Sequence, residues 1–440
     1  MERLIYNELL GWSKSAVRKP LILRGVRQCG KTWILREFGE KNFEDTAYFT
    51  FENNQPLSEC FDADMNPSRI IKELSFIRGR KIVPGRTFVI FDEIQFCAKA
   101  LTALKYFAEE MPELHIACAG SYLGIHLAKS AGSFPVGKVD FLTLHPMNFE
   151  EYLMALGQVD ILPELKKSAG NGDKLPSSLV YRLENLYKEY LITGGMPEVV
   201  SSWTKNHDIG AADKILRSII DSYEADFMKY APDNLLPKLT LIWRSIPAQL
   251  AKDNHKFIFS HVKSGLKARD LEDALFWLVA AGIVIRVAKV EKPDVPLSIH
   301  SDSSNFKIYL CDAGLLRSLA DFPAAAVASP MPVVSDMRGA ITENFVLTEL
   351  VFADAVPYFW KRNESEVEFV IQDGLDVIPI EVKAGKNVKS RSLSEFRKRY
   401  HPKTAVKTSL NTLAESEDEF GTLKSVPLYM LRSGIYRDAD

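Results

Sequence analysis

Through the first third of the chain, short unbroken apolar runs alternate with stretches whose apolar residues recur at helical spacing. Leu21-Ile22-Leu23, Thr87-Phe88-Val89-Ile90-Phe91 and Leu114-His115-Ile116-Ala117-Cys118-Ala119 are such runs. A run without polar alternation predicts a strand covered on both faces, as in a parallel sheet. Trp33-Ile34-Leu35-Arg36-Glu37-Phe38 predicts a helix after the first run, and the alternation to about Met154 predicts an α/β core. A polar, Gly- and Pro-containing stretch over 168–176 predicts a loop. Helical spacing then resumes from Leu179, broken at Gly194-Gly195-Met196-Pro197, a sequence suited to a turn. From Phe257 the pattern reads helix, turn, helix (Asp270 to Ala281) and strand (Ile283 to Val287), the order of a winged-helix module. Further on, Gly339 to Phe352 predicts a helix, and Glu366 to Ile371 and Val377 to Lys383 predict strands. Four segments result: an α/β core over 1–160, a helical lid or connector over 161–235, a winged-helix-like module over 236–300, and a second α/β domain over 301–440.

The first run leads directly into Gly25-Val26-Arg27-Gln28-Cys29-Gly30-Lys31-Thr32. This is GxxxxGK[ST] between a strand and a helix, the context in which backbone N–H groups cradle nucleotide phosphates. The expected nucleotide contacts are Gly25, Arg27, Gly30, Lys31, Thr32 and Trp33, with the Lys31 charge on the β/γ-phosphates and the Thr32 hydroxyl on Mg²⁺. The second run ends in Asp92-Glu93, at the edge of a parallel sheet where ligands bind. Asp92 is the expected partner of Mg²⁺, and Glu93 the expected group for orienting the attacking water. Ser121, after the third run, is the candidate for sensing the γ-phosphate. ATP and Mg²⁺ are therefore the expected cofactors, with Lys31, Glu93 and Ser121 in catalytic roles.

Composition narrows the partners. Apolar residues make up 46% and charged residues 25%, and the net charge is −2, so attraction to nucleic acid has to come from local patches. The longest near-continuous apolar stretch, Leu275 to Ile285, is too short to span a bilayer, and the first residues carry no secretory pattern. A cytoplasmic protein without membrane contact is expected. The five cysteines are scattered without CxxC spacing, indicating neither a disulfide framework nor a zinc site.

A second chemistry is suggested by Glu381-Val382-Lys383, in which strand alternation places both polar side chains on one face. With Glu368 on the preceding strand and Glu343 on the earlier helix, these residues could hold Mg²⁺ and present a lysine to water, as metal-assisted phosphodiester hydrolysis requires. Alternation of this kind also describes an ordinary half-solvated strand. Residues 383–403 then carry eight bases against one acid, a patch suited to DNA phosphates. Lys263, Lys267 and Arg269 offer a second such patch on the winged-helix-like module.

Taken in order, the phosphate loop, Phe91-Asp92-Glu93-Ile94-Gln95, Ala119-Gly120-Ser121, Leu144 to Tyr152, Gly194 to Glu198, Gly339 to Val346 and Ile380-Glu381-Val382-Lys383 resemble the prokaryotic AAA+-like P-loop ATPases with a winged-helix segment and a C-terminal restriction-endonuclease-like domain of unknown function. The resemblance implies ATP binding and hydrolysis, and an α/β C-terminal domain of nuclease-like fold. Two positions depart from the family pattern. Gly137-Lys138 stands where Gly-Arg is usual, and a lysine gives a point charge rather than a fork. Glu368 stands where aspartate is usual, shifting the carboxylate by about one C–C bond in a site that demands close placement. The reading is an ATPase whose nucleotide state controls a DNA- or protein-binding C-terminal half. The alternatives are an ATP-regulated metal-dependent DNA nuclease and a nucleotide-gated binding module that hydrolyses nothing. Relatives of this kind assemble into homo-oligomers in which one copy supplies a basic finger to the next, and Lys138 is the candidate.

Overall fold

The computed structural model describes residues 1–120, 135, 137–252, 256–329, 331, 334–385 and 390–435. Ser121 lies outside them. Contacts divide the chain into two compact units, Met1–His145 with Ala280–Gly282, and Pro146–Val279 with Ile283–Asp440.

The first unit is built on five strands: β1 (Leu21–Arg24), β2 (Asp45–Thr50), β3 (Thr87–Asp92), β4 (His115–Ala119) and β5 (Asp140–Thr143). All pair in parallel, in the order β2-β3-β4-β1-β5. Every residue of β3 is buried, as the unbroken apolar run requires of a central strand covered on both faces. Phe91 meets Phe49, Phe51 and Phe61 at 5.6–6.1 Å between ring centres, so one face of the sheet closes on an aromatic cluster. The helix Pro67–Arg78 starts with Asn66 accepting from Arg69 N and Pro67 in its first turn, and stops at Gly79 with φ +69°. Those are the start and stop signals expected of a helix.

The second unit joins the three remaining expected segments rather than separating them. Its eight-stranded mixed sheet contains β6 (Val284–Val290), β7 (Ser301–Leu310), β8 (Tyr358–Arg362), β9 (Ser365–Asp373), β10 (Asp376–Val382), β11 (Thr404–Ser409), β12 (Ala414–Asp418) and β13 (Gly421–Pro427), in the order β12-β13-β11-β10-β9-β8-β6-β7. The boundary expected at 300 falls between the two strands of the β6–β7 hairpin, which reaches the rest of the sheet through the pair Lys289 and Phe359. Helices from the expected lid share a core with the helix Ser335–Phe352, since Phe345 packs on Phe149, Tyr187 and Tyr190 at 5.0–6.4 Å. The expected loop over 168–176 begins late. The helix Ile161–Asn171 runs through Ser168 because Ile161, Leu165 and Ser168 share a buried stripe, and it ends at Gly172 with φ +73°. Burial of that stripe overrides the weak helix propensity of its last residues. Among the described residues no helix is long and apolar enough to cross a membrane, and all five cysteines are buried.

Candidate nucleotide site

The loop between β1 and the helix Lys31–Asn42 owes its shape to glycine. Gly25 has φ +149°, and a Cβ there would stand 2.2 Å from the carbonyl oxygen of Leu144. Only glycine lets β1 turn so close to the chain that follows β5. Gly30, with φ +97°, opens the helix, leaving the first N–H groups of that helix without intrahelical partners and facing the loop. Lys31 is 7% exposed, and its ammonium donates to the carbonyls of Gly25 at 2.9 Å and Val26 at 2.8 Å. A cation is thus already folded over the space enclosed by the loop. Trp33 lies on the same helix with its side chain 45% exposed.

Asp92 ends β3, and although β4 lies between β3 and β1, its Oδ2 accepts from the Thr32 hydroxyl at 2.9 Å. The same oxygen accepts from the Tyr48 hydroxyl at 2.7 Å, and Oδ1 accepts from Glu93 N at 3.1 Å. Glu93 sits at φ +50° in the left-handed region, a conformation that functional sites often impose on bulky residues. Gln95 Nε2 donates to its Oε2 at 2.5 Å. Three residues that sequence reasoning missed complete the site. Arg3, buried, donates to the carbonyls of Cys29 at 3.0 Å and His145 at 2.6 Å. Tyr48 holds Asp92, and Arg36 stacks on the Tyr48 ring at 3.8 Å. The register of β2 against β3, which sets Thr50 beside Asp92 and Tyr48 beside Ile90, was the signal, and only strand pairing reveals it. Lys138, the candidate finger, is ion-paired with Glu109 at 2.9 Å.

In the second unit the structure brings Glu343, Glu368, Glu381 and Lys383 into one cluster and adds residues that the sequence pattern did not suggest. Lys383 Nζ lies 3.4 Å from Glu368 and 3.2 Å from Glu381. Burial disfavours its charge, yet the two carboxylates outweigh burial and raise its pKa. Burial pushes Glu368 up to about 7 against the pull of Lys383. Lys307 and Tyr309 enter from β7, and Glu366 from β9. The Lys307 ammonium, wholly buried, is 2.5 Å from Glu366 and 3.8 Å from Glu343, and Tyr309 donates to Glu343 at 3.0 Å. The basic stretch after β10 is less free than its composition suggests, because Arg397 is buried against Asp418 and Lys403 pairs with Asp376. Arg391, Lys398 and Arg399 are exposed, while Lys386 and Lys389 lie outside the described residues.

Residues 17–153 match the family described as AAA domain. The first unit carries an AAA-type P-loop ATPase domain. Residues 184–326 and 338–430 match two families described as domains of unknown function, DUF8612 and DUF4143. No curated protein matches the chain. Among solved structures, the chain is similar to the Walker-type ATPase PABY2304 of Pyrococcus abyssi, at 14% identity over 72% of this chain and 95% of that one, with a TM-score of 0.45. It is also similar to the ORC2 protein of Aeropyrum pernix in its ADPNP–ADP complexes, at 15% identity over 73% and 91%, TM-score 0.34. The ORC1 protein of the same organism in complex with DNA shares 14% identity over 73% and 91%, TM-score 0.27.

The AAA domain offers a donor set that would fit a nucleotide with a divalent cation. A hydroxyl and a carboxylate, Thr32 and Asp92, meet at 2.9 Å, the hard oxygen pair that Mg²⁺ takes beside phosphates. Tyr48 is a positioning residue for this pair. Burial, then Asp92, pushes its phenol up to about 12, so it remains a donor throughout the working pH range and fixes the Asp92 carboxylate. Tyr48→Phe removes one hydrogen bond to a charged group, about 1.5 kcal/mol or roughly tenfold. The Mg²⁺ concentration giving half-maximal nucleotide affinity should therefore rise several-fold, as read by calorimetric titration at graded Mg²⁺. Superimposable Mg²⁺ curves for the two proteins would reduce Tyr48 to a packing residue.

Proposed function

We propose that the chain is a Mg²⁺-dependent ATPase whose nucleotide state governs binding by its second unit. The observation carrying this reading is the junction of Thr32 with Asp92 beside the folded-back Lys31 and the adjacent Glu93. In this reading Gly25, Arg27, Gly30, Lys31, Thr32 and Trp33 contact the nucleotide, Thr32 and Asp92 hold the cation, and Glu93 orients the water that attacks the γ-phosphate. Mg²⁺ would supply charge neutralisation across the β- and γ-phosphates. Ser121, two residues after β4 in the sequence, is proposed to contact the γ-phosphate. The protein is proposed to act in the cytoplasm.

The second unit is proposed to grip DNA through a winged-helix-like surface formed by the helices Phe259–Val262 and Ala268–Ala280 with the β6–β7 hairpin. Lys263, Lys267 and Arg269 are exposed there, and Phe276, on the same helix as Arg269, is 62% exposed. Three phosphate contacts predict a modest salt dependence, a slope of log affinity on log salt of about −3. The test is DNA affinity at graded salt with ATP, ADP and no nucleotide, alongside ATP turnover. A nucleotide-dependent affinity with that slope supports the reading. Turnover without any nucleotide effect on DNA affinity would break the proposed coupling, and no Mg²⁺-dependent turnover would remove the ATPase reading.

A further inference from the structure

A catalytic metal is what the nuclease-like resemblance implies for the carboxylate cluster of the second unit, and the residues present do not fit one. A divalent ion needs several oxygens converging on a common point from which other cations are absent. Here the oxygens are already taken. Glu368 Oε1 faces Lys383 at 3.4 Å, and its Oε2 accepts from Val382 N at 3.1 Å. Glu381 Oε1 faces Lys383 at 3.2 Å, and its Oε2 accepts from Ser390 Oγ. Glu343 Oε2 accepts from Tyr309 at 3.0 Å and lies 3.8 Å from Lys307. Glu366 is divided between Lys307 at 2.5 Å and Lys361 at 2.9 Å. Among the described residues no three carboxylate, imidazole or thiol groups are arranged to hold a metal ion.

Lys307 is the unusual member. Lysine is almost never fully buried unless paired, yet this side chain has no exposed surface. Its ammonium touches Glu366 as an ion pair rather than as an aligned hydrogen bond, the relation of a counter-ion to its neighbours. It arrives from β7, on the far side of the sheet order from β9 and β10, and projects into the carboxylates. Lys307, Lys361 and Lys383 set three positive charges against the four carboxylates of Glu343, Glu366, Glu368 and Glu381. Adding a divalent ion would reverse the balance, while removing Lys307 would leave the acids in excess by two.

We infer that Lys307, together with Lys383, supplies the resident positive charge of this cluster in place of a divalent ion, so that the second unit binds its partner without cutting it. This rests on the reading of that unit as a binding half, and it names what replaces the nuclease metal.

The test titrates the nucleotide-free full-length chain with Mn²⁺, following bound ion by electron paramagnetic resonance. The wild type, Glu381→Gln, Lys307→Met and Lys307→Met/Glu381→Gln are compared, with mixed linear and branched DNA incubated in parallel. The expected result is no saturable Mn²⁺ site dependent on Glu381 in the wild type and no strand scission. Lys307→Met should gain Mn²⁺ affinity by at least about tenfold, since acid excess sets cation affinity, and should lose the gain in the double variant. Saturable Mn²⁺ binding or DNA scission in the wild type, abolished by Glu381→Gln, would overturn the inference. So would a Lys307→Met protein that melts like the wild type yet gains no Mn²⁺. Should Lys307→Met not fold, the wild-type and Glu381→Gln titrations alone decide. DNA affinity measured on the same wild-type sample separates the two readings, because loss of DNA binding would sink the binding role and leave the metal result standing.

Discussion

Replacing Lys31 with alanine should weaken ATP binding by about 100-fold, the effect of about 3 kcal/mol that a charge-assisted contact in a partly buried site contributes. The side chain is 7% exposed and already held over the loop by the carbonyls of Gly25 and Val26. The cation therefore meets the phosphates with little ordering left to do, and preorganisation of this kind is where binding free energy is gained. Lys31→Arg should not rescue, because the longer, planar guanidinium does not fit the space that a compact ammonium fills beside the Gly25 and Val26 carbonyls. Isothermal titration with ATP and Mg²⁺ checks both variants. An alanine variant that binds within threefold of the wild type would show that Lys31 serves only to brace the loop.

The second large effect should separate binding from turnover. Glu93→Gln keeps the size of the side chain and its place after Asp92, whose Oδ1 accepts from the residue 93 N–H at 3.1 Å. Its amide can still pair with Gln95, which donates to Glu93 at 2.5 Å in the wild type. The variant loses the carboxylate charge that polarises water, an effect typically worth 10²–10⁴ in rate. Hydrolysis should fall by about that factor in single-turnover measurements while ATP affinity stays within a few-fold. Wild-type turnover in this variant would take the water-orienting role away from Glu93.

What the sequence made legible was local. The phosphate loop spans eight consecutive residues, so its pattern could be read without knowing the distant groups, Leu144 and Asp92, that Gly25 and Thr32 meet in the fold. Asp92-Glu93 was legible because an abrupt change from apolar to acidic marks the end of a buried parallel strand. Residues brought in by strand register were not. Tyr48 acts on Asp92 only because β2 lies beside β3, and Lys307 reaches Glu366 only because a hairpin far earlier in the chain joins the same sheet. The basic stretch after β10 was over-read for the same reason. Composition counts Arg397 as a base available to phosphate, whereas the fold buries it against Asp418 and the Gly421 carbonyl. Glu343, Glu368, Glu381 and Lys383 could be grouped from the sequence because helix and strand faces follow from periodicity. What fills the space between them did not follow from periodicity at all.

Arg3 carries a consequence of a different kind. One guanidinium donates both to the carbonyl of Cys29, inside the phosphate loop, and to the carbonyl of His145, the residue before the second unit begins. A planar group with two donors ties the loop and the end of the first unit's chain to one side chain. Loss of Arg3 would therefore release both carbonyls at once, the one inside the phosphate loop and the one at the end of the first unit's chain.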